Sequence, residues 1–155
     1  MPELAPLTPE DRDMAARTLV GEARGEPPEG QAAVAWVIRN RASWDTLHSG
    51  HPEHEWWGTT VALVCRHPAQ FSCWNAADPN LPLIRDMAAD DPRYLQALAV
   101  VRGVFGGGIS DPTASIGGAT HYRVRATHAS WDAAAAGKPS LTFGHQVFYC
   151  LGPQG

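Results

Sequence analysis

The 155-residue chain has no stretch approaching the ~18 consecutive apolar residues of a membrane-spanning helix, so no transmembrane segment is expected. It also lacks a cationic start followed by an apolar run, and MPELAPLTPEDRDMAA therefore shows no secretory signal. Charge is scarce, at 18% of residues with a net charge of −4 and pI ≈ 5.9, and no basic field marks nucleic acid or an anionic membrane as a partner. Cysteines are few. Cys65, Cys73 and Cys150 form an odd set without the CxxC spacing of a metal knuckle. They read as buried or idle thiols, with a Cys65 to Cys73 disulfide as the alternative. There is no internal repeat and no low-complexity tract, although DAAAAGK is locally rich in alanine.

What is present suits one globular domain over residues 1–155. At 44% hydrophobic, a chain of this length can bury roughly two-thirds of its unfolded surface. Six tryptophans stand out, and Trp44, Trp56, Trp57, Trp74 and Trp131 fall in turn-rich stretches. There, core packing competes with sugar stacking or interface formation.

The helices have readable signals. Thr8 as N-cap, Pro9 in the first turn and the acidic residues Glu10, Asp11 and Asp13 predict a helix over Pro9 to about Ala23. After Pro27 and Pro28, Ala33, Val34, Val37, Ile38 and Arg41 recur at helical spacing and predict a second helix over 29–43. A short apolar piece, Thr60 to Cys65, follows a loop rich in His, Trp and Gly, and HPAQFSCWNAADPN reads as loop. From Asp91 and Pro92 a long helix carries the stripe Tyr94, Leu98, Val101 and Phe105 and ends at Gly106, Gly107 and Gly108. Beyond it the period changes, and ATHYRVRA and LTFGHQVFYCL read as strands. The expected fold class is α+β, helical over the first two-thirds with a small C-terminal β element.

GEARGEPPEGQ, residues 21–31, has the composition of a solvated loop but joins the first two helices. Ala15, Leu19 and Glu22 follow the i, i+4, i+7 rule, which puts Glu22 on the face meant for the core, in the last turn. Partial desolvation and the negative end of a helix both disfavour a carboxylate at such a place. A carboxylic acid that keeps its proton is what acid-catalysed glycosidic cleavage needs, since the leaving oxygen must receive one. The alternative is a helix-end ion pair with Arg24, Arg41 or another cation.

The run ARTLVGEARGEPPEGQAAVAWVIRNRA closely resembles the opening motif of the SleB-type cell-wall hydrolases, the family typified by the spore-cortex-lytic enzyme. QFSCW at 70–74, GATHY at 118–122 and GHQVFY at 144–149 match in order, so the resemblance extends over nearly the whole chain. It implies a lysozyme-like fold of the lytic transglycosylase kind acting on peptidoglycan glycan strands, without a cofactor. The implied acid/base is Glu22, cleaving the β-1,4 bond between N-acetylmuramic acid and N-acetylglucosamine with closure of a 1,6-anhydro ring. A hydrolase using water normally needs a second carboxylate roughly 5 to 10 Å away. Glu26 is the nearest candidate in sequence, with an exposed loop carboxylate as its plainer reading.

The other matched residues take supporting roles. Gln70 and Ser72 are candidate hydrogen-bonding partners for sugar groups, and Phe71 and Trp74 candidate apolar faces. The two-residue period of a strand sets Thr120 and Tyr122 toward the cleft and His121 to the other, structural side. His145, Val147 and Tyr149 share a face of the last strand, with His145 and Tyr149 as substrate-binding candidates. Core packing is the stronger reading for Phe71, Val147 and Phe148.

The stretch from Trp44 to Trp57, with HSGHPEHEWW inside it, is longer and richer in histidine than expected of the spore enzymes, and no peptidoglycan-binding repeat precedes it. With the missing leader, this favours a stand-alone, monomeric wall-degrading domain of the phage endolysin kind, made in the cytoplasm and acting on the wall after release. Two rivals stay open. His48, His51, His54, His121, His128 and His145, with Glu53, Glu55 or Asp132, would have to assemble the zinc site of a wall amidase or peptidase, although no HExxH spacing is present. A non-catalytic glycan-binding module would use the tryptophans as platforms and Glu22 as an acceptor.

Overall fold

A computed structural model describes residues 6–48, 57–58, 60–67 and 70–153. The first helix, α1 (Pro9–Ala23), begins as its sequence predicts. The Thr8 hydroxyl accepts the Asp11 N–H and the Asp11 carboxylate accepts the Thr8 N–H, each at 3.1 Å, which closes a capping box. The other Asp11 oxygen accepts the Ala62 N–H at 2.9 Å. That bond ties the start of α1 to the start of α3 (Val61–Arg66), whose own N-cap is Thr60.

Between them lies α2 (Pro28–His48), which runs past the predicted end at Ser43. The predicted loop that follows α3 holds a 3-10 turn at Ser72–Trp74, and α4 (Leu81–Arg85) comes after it. Asp91 caps α5 (Pro92–Phe105). The residues α5 buries are Tyr94, Ala97, Val101 and Val104, while Leu98 and Phe105 of the predicted stripe are only partly covered. The shift has a packing cause: α5 lies against both α1 and α2, so its covered face is broader than one stripe. Leu19, Val20, Val34, Val37, Ile38, Ile84, Val101 and Val104 meet in the core at 0 or 1% exposure.

At the C-terminal end β1 (His121–Val124), α6 (Asp132–Ala135), β2 (Ser140–Phe143) and β3 (Gln146–Tyr149) follow in sequence. The strands form one antiparallel sheet in the order β1-β3-β2, with His121 opposite Tyr149 and Phe143 opposite Gln146. LTFGHQVFYCL, predicted as one strand, is thus a hairpin that turns at Gly144 and His145. Gly144 sits at φ +57°, a conformation that favours glycine in a tight turn. The fold moves His145 off the strand into the turn. Gln146 and Phe148 point inward, and Val147, expected in the core, is half-buried.

The turn also explains Glu26. Its side chain is only 10% exposed, against the expectation of an exposed loop carboxylate, and its Oε2 accepts the His145 N–H at 3.0 Å. A Cβ at position 144 would overlap Glu26 Oε2 and come within 2.7 Å of Pro27 Cδ. The bare glycine is what lets the chain after α1 lie against the hairpin. Gly144→Ala should therefore destabilise the protein by about 2 kcal/mol or more, seen as a melting temperature lowered by roughly 5 °C. A melting curve superimposable on the parent's would show that the hairpin turn tolerates a side chain.

Candidate active site

Glu22 occupies the last turn of α1, half-buried. Its neighbour Gly21 decides what can approach it. A Cβ on Gly21 would lie 2.6 Å from Cys73 Cβ and 2.9 Å from its Sγ, so only glycine lets the Ser72–Trp74 turn rest on the helix. In that position the Cys73 N–H donates to Glu22 Oε1 at 3.2 Å. From the sheet, the Tyr122 hydroxyl donates to Oε2 at 2.9 Å. The main-chain carbonyl of Glu22, one of those a helix end leaves unpaired, accepts from Gln146 Nε2 at 3.0 Å.

The carboxyl borders a groove of about 680 Å³ lined also by Arg41, Gln70, Ser72, His121 and Tyr122. Arg123, Val124, Ser130, Trp131, Ala133 and Ala134 complete the lining. Burial, and then the charge of Glu22 and its hydrogen bond, raise the Tyr122 hydroxyl well above its ordinary range, so it remains a neutral phenol able to donate or accept. Arg41 is 5% exposed, and burial lowers its guanidinium to about 10, against the raising influence of Tyr122 and Glu22. Its Nε donates to Thr120 O at 2.8 Å and Nη1 to Gln70 Oε1 at 3.4 Å. The rings of Phe71 and Trp57 lie 5.1 and 5.4 Å from its charge centre. Arg24, the other proposed ion-pair partner of Glu22, bonds to Val20 O and Asn80 Oδ1 instead.

Of the residues singled out in sequence, Glu22, Gln70, Ser72 and Tyr122 meet at the groove. Phe71 is in the core at 2% exposure. Trp74 donates its indole N–H to Thr18 Oγ1 at 2.8 Å, inside the fold. Thr120, expected on the cleft side, is fully buried, while His121 lines the groove. Thr120 precedes β1, and its hydroxyl accepts the N–H groups of Leu151 and Gly152. Tyr149 packs edge-on against Trp131, 5.6 Å between centroids. His145 lies at the hairpin turn, 81% exposed, with Nδ1 3.4 Å from Glu26 Oε1. Glu26 itself, the candidate second carboxylate, is taken up by that turn and is absent from the groove lining.

Arg123 is a groove residue to which sequence reasoning gave no part, Arg41 entered only as an ion-pair partner of Glu22, and Trp131, a candidate stacking platform, does line the groove. Arg41 did carry a signal, being a cation on the apolar stripe of its helix. Among the described histidines, His121 faces Thr120, His128 lies 3.3 Å from Asp132, and His145 lies by Glu26. No group of three metal-ligating side chains converges among the described residues. His51, His54, Glu53, Glu55 and Trp56, and the side chain of His48, fall outside them.

All three cysteines are free, so Cys65 and Cys73 are not paired. Burial pushes the Cys65 thiol up to about 12 and raises Cys73 as well, the latter with help from the charge of Glu22. In a Cys150→Ser background, both should resist a thiol reagent at pH 8 until the protein unfolds, because little thiolate is present and the sulfurs are covered. Gly21→Ala in that background should push the Ser72–Trp74 turn off the helix and speed labelling of one thiol about tenfold or more. Unchanged labelling would mean that the turn does not depend on Gly21.

Comparison with known proteins follows the geometry. The profile of the cell wall hydrolase family matches residues 25–149, beginning just past Glu22. Among solved structures, the catalytic domain of the Bacillus cereus SleB protein is 24% identical with a TM-score of 0.64, over 95% of this chain and 94% of that one. The catalytic domain of the germination-specific lytic transglycosylase SleB from Bacillus anthracis is 25% identical with a TM-score of 0.62, over 94% and 99% of the two chains. The search of curated proteins returned no match. These likenesses agree with the lysozyme-like α+β fold implied by the sequence resemblance, and with the family profile matched over most of its length the chain belongs to the cell wall hydrolase family.

Proposed function

We propose that this cell wall hydrolase cleaves the β-1,4 bond between N-acetylmuramic acid and N-acetylglucosamine in peptidoglycan by lytic transglycosylation, with Glu22 as both acid and base. The observation that carries the reading is that Glu22 is the single carboxylate among the described residues lining the groove. Hydrolysis with water as acceptor ordinarily needs two carboxyl groups across the scissile bond. Ring closure by the substrate's own hydroxyl needs one.

The hydrogen bonds around Glu22 favour one position for its proton. Oε1 faces the Cys73 N–H, which can only donate, so Oε1 is an acceptor in both protonation states. Oε2 faces the Tyr122 hydroxyl, which donates to the carboxylate and can turn to accept from the acid. The transferable proton therefore belongs on Oε2. As the C1–O4 bond breaks, that proton passes to the leaving O4, and Oε2 becomes a carboxylate oxygen. The C6 hydroxyl then bonds to C1 and gives its proton to Oε2. Atoms and charge balance, and Glu22 ends as it began. Tyr122 follows both transfers by rotating its O–H, and Gln70 and Ser72 are placed to bond sugar hydroxyl or acetamido groups.

Glu22→Gln should lower turnover on purified peptidoglycan by about a thousandfold while wall binding persists. Turnover at the parent rate sinks the assignment, and a parent protein that binds wall but never cuts it favours the glycan-binding module. Mass spectrometry of the parent's digest should show 1,6-anhydromuramyl ends; reducing muramyl ends would instead mean water is the acceptor. Tyr122→Phe removes the hydroxyl that follows the proton. It should reduce kcat about tenfold with KM little changed, whereas a rise in KM alone would make Tyr122 a substrate contact.

A further inference from the structure

His121 borders the groove beside Tyr122, and the cleavage described above leaves it without a part. Its ring is held edge-on to Trp131 at 5.1 Å and to Trp57 at 6.2 Å, and the residue is 5% exposed. Nδ1 lies 2.9 Å from Thr120 Oγ1, and Thr120 decides which of the two carries the hydrogen. That hydroxyl already accepts the N–H groups of Leu151 and Gly152, each at 3.1 Å. A hydroxyl oxygen has two acceptor positions, and both are filled. What remains is its own hydrogen, and His121 Nδ1 is the acceptor within reach. Nδ1 is therefore the bare nitrogen, and the neutral ring carries its hydrogen on Nε2.

The ring is neutral for a separate reason. Burial, reinforced by the charge of Arg41, lowers the imidazole to about 4. Nε2 makes no hydrogen bond with any described residue. It is also absent from the sealed polar atoms that lack a hydrogen-bond partner, which among the described residues are Arg123 Nε, Asp132 Oδ1 and Gln146 Oε1. It is thus a donor of fixed tautomer that no described residue takes up, on a ring that lines the groove.

We propose that His121 is a substrate-binding residue whose Nε2–H, oriented by Thr120, donates to an acetamido carbonyl oxygen of the glycan strand. The proposal rests on the peptidoglycan reading above. An uncharged, single-direction donor suits the amide carbonyl, the strongest neutral acceptor on an amino sugar. Trp131, Ala133 and Ala134 line the same groove and offer apolar surface to the acetamido methyl. Thr120 acts through His121 and is a positioning residue.

Two measurements test this. Long-range ¹⁵N–¹H spectra should show His121 as the Nε2–H tautomer in the parent and in Thr120→Ser, and a tautomer mixture in Thr120→Val. An Nδ1–H tautomer in the parent overturns the proposal. The second measurement is wall binding in the Glu22→Gln background, with native wall and with N-deacetylated wall as probes. His121→Phe keeps the ring packing and removes the donor, and should weaken binding to native wall about tenfold while leaving binding to deacetylated wall unchanged. His121→Gln, which restores an N–H at that position, should recover most of the loss. Equal affinity of His121→Phe and its parent for native wall overturns the assignment of His121 with the glycan reading intact. A Glu22→Gln protein that binds neither wall, its spectrum otherwise native, overturns the glycan reading and this proposal with it.

Discussion

The end of α1 is the joint on which the rest of the molecule depends. A helix terminus leaves carbonyls unpaired, and a half-buried one must find partners for them. Here the Glu22 carbonyl takes the Gln146 side chain, and the Ala23 carbonyl takes the Glu26 N–H. The two carboxylates of the same stretch divide the neighbouring elements between them. Glu22 holds the Ser72–Trp74 turn through Cys73 N and the sheet through Tyr122, and Glu26 holds the hairpin through His145 N. GEARGE, QFSCW, GATHY and GHQVFY are scattered over more than a hundred residues, yet each supplies an atom to this joint. Their separation in sequence and convergence in space have one cause.

Two glycines make the joint possible by what they lack. Without Gly21 the turn carrying Cys73 could not reach the helix, and without Gly144 the hairpin could not receive Glu26. The first controls the polar surroundings of Glu22. The second controls how the sheet is set against α1, and so where Tyr122 arrives. Glu22 is thus held by a backbone N–H on one side and by the Tyr122 and Gln146 side chains on the other.

How far the sequence announced this can be traced residue by residue. The helices were legible because their signals are local: Thr8 and Asp91 cap, proline falls in the first turn, and apolar residues recur at helical spacing. Glu22 was legible for the same reason, since one turn of periodicity is enough to give it a face. The hairpin at Gly144 was missed because LTFGHQVFYCL alternates well enough to pass for one strand, and a single Gly-His pair is a weak turn signal. The exchange of Thr120 and His121 has a similar origin. Alternation is a property of residues inside a strand, and Thr120 stands just outside β1, where hydrogen bonds from the chain after β3 decide its surroundings. The burial of Glu26 was beyond local reading altogether, because its partner lies 119 residues away.

Arg41 shows why the groove can hold a cation beside its acid without disabling it. A bidentate pair between them would have to be broken each time Glu22 took up a proton, and a buried guanidinium stripped of its partner is costly. The fold meets the charge of Arg41 with softer partners: the Thr120 carbonyl, the Gln70 amide oxygen, and the ring faces of Trp57 and Phe71. None of these changes protonation, so on the proposed mechanism Arg41 keeps the same partners through both proton transfers at Glu22. Its charge also bears on the imidazole of His121, helping to keep that ring neutral. On the proposed reading, Arg41 thus leaves Glu22 free to transfer a proton and helps to hold His121 as a neutral donor.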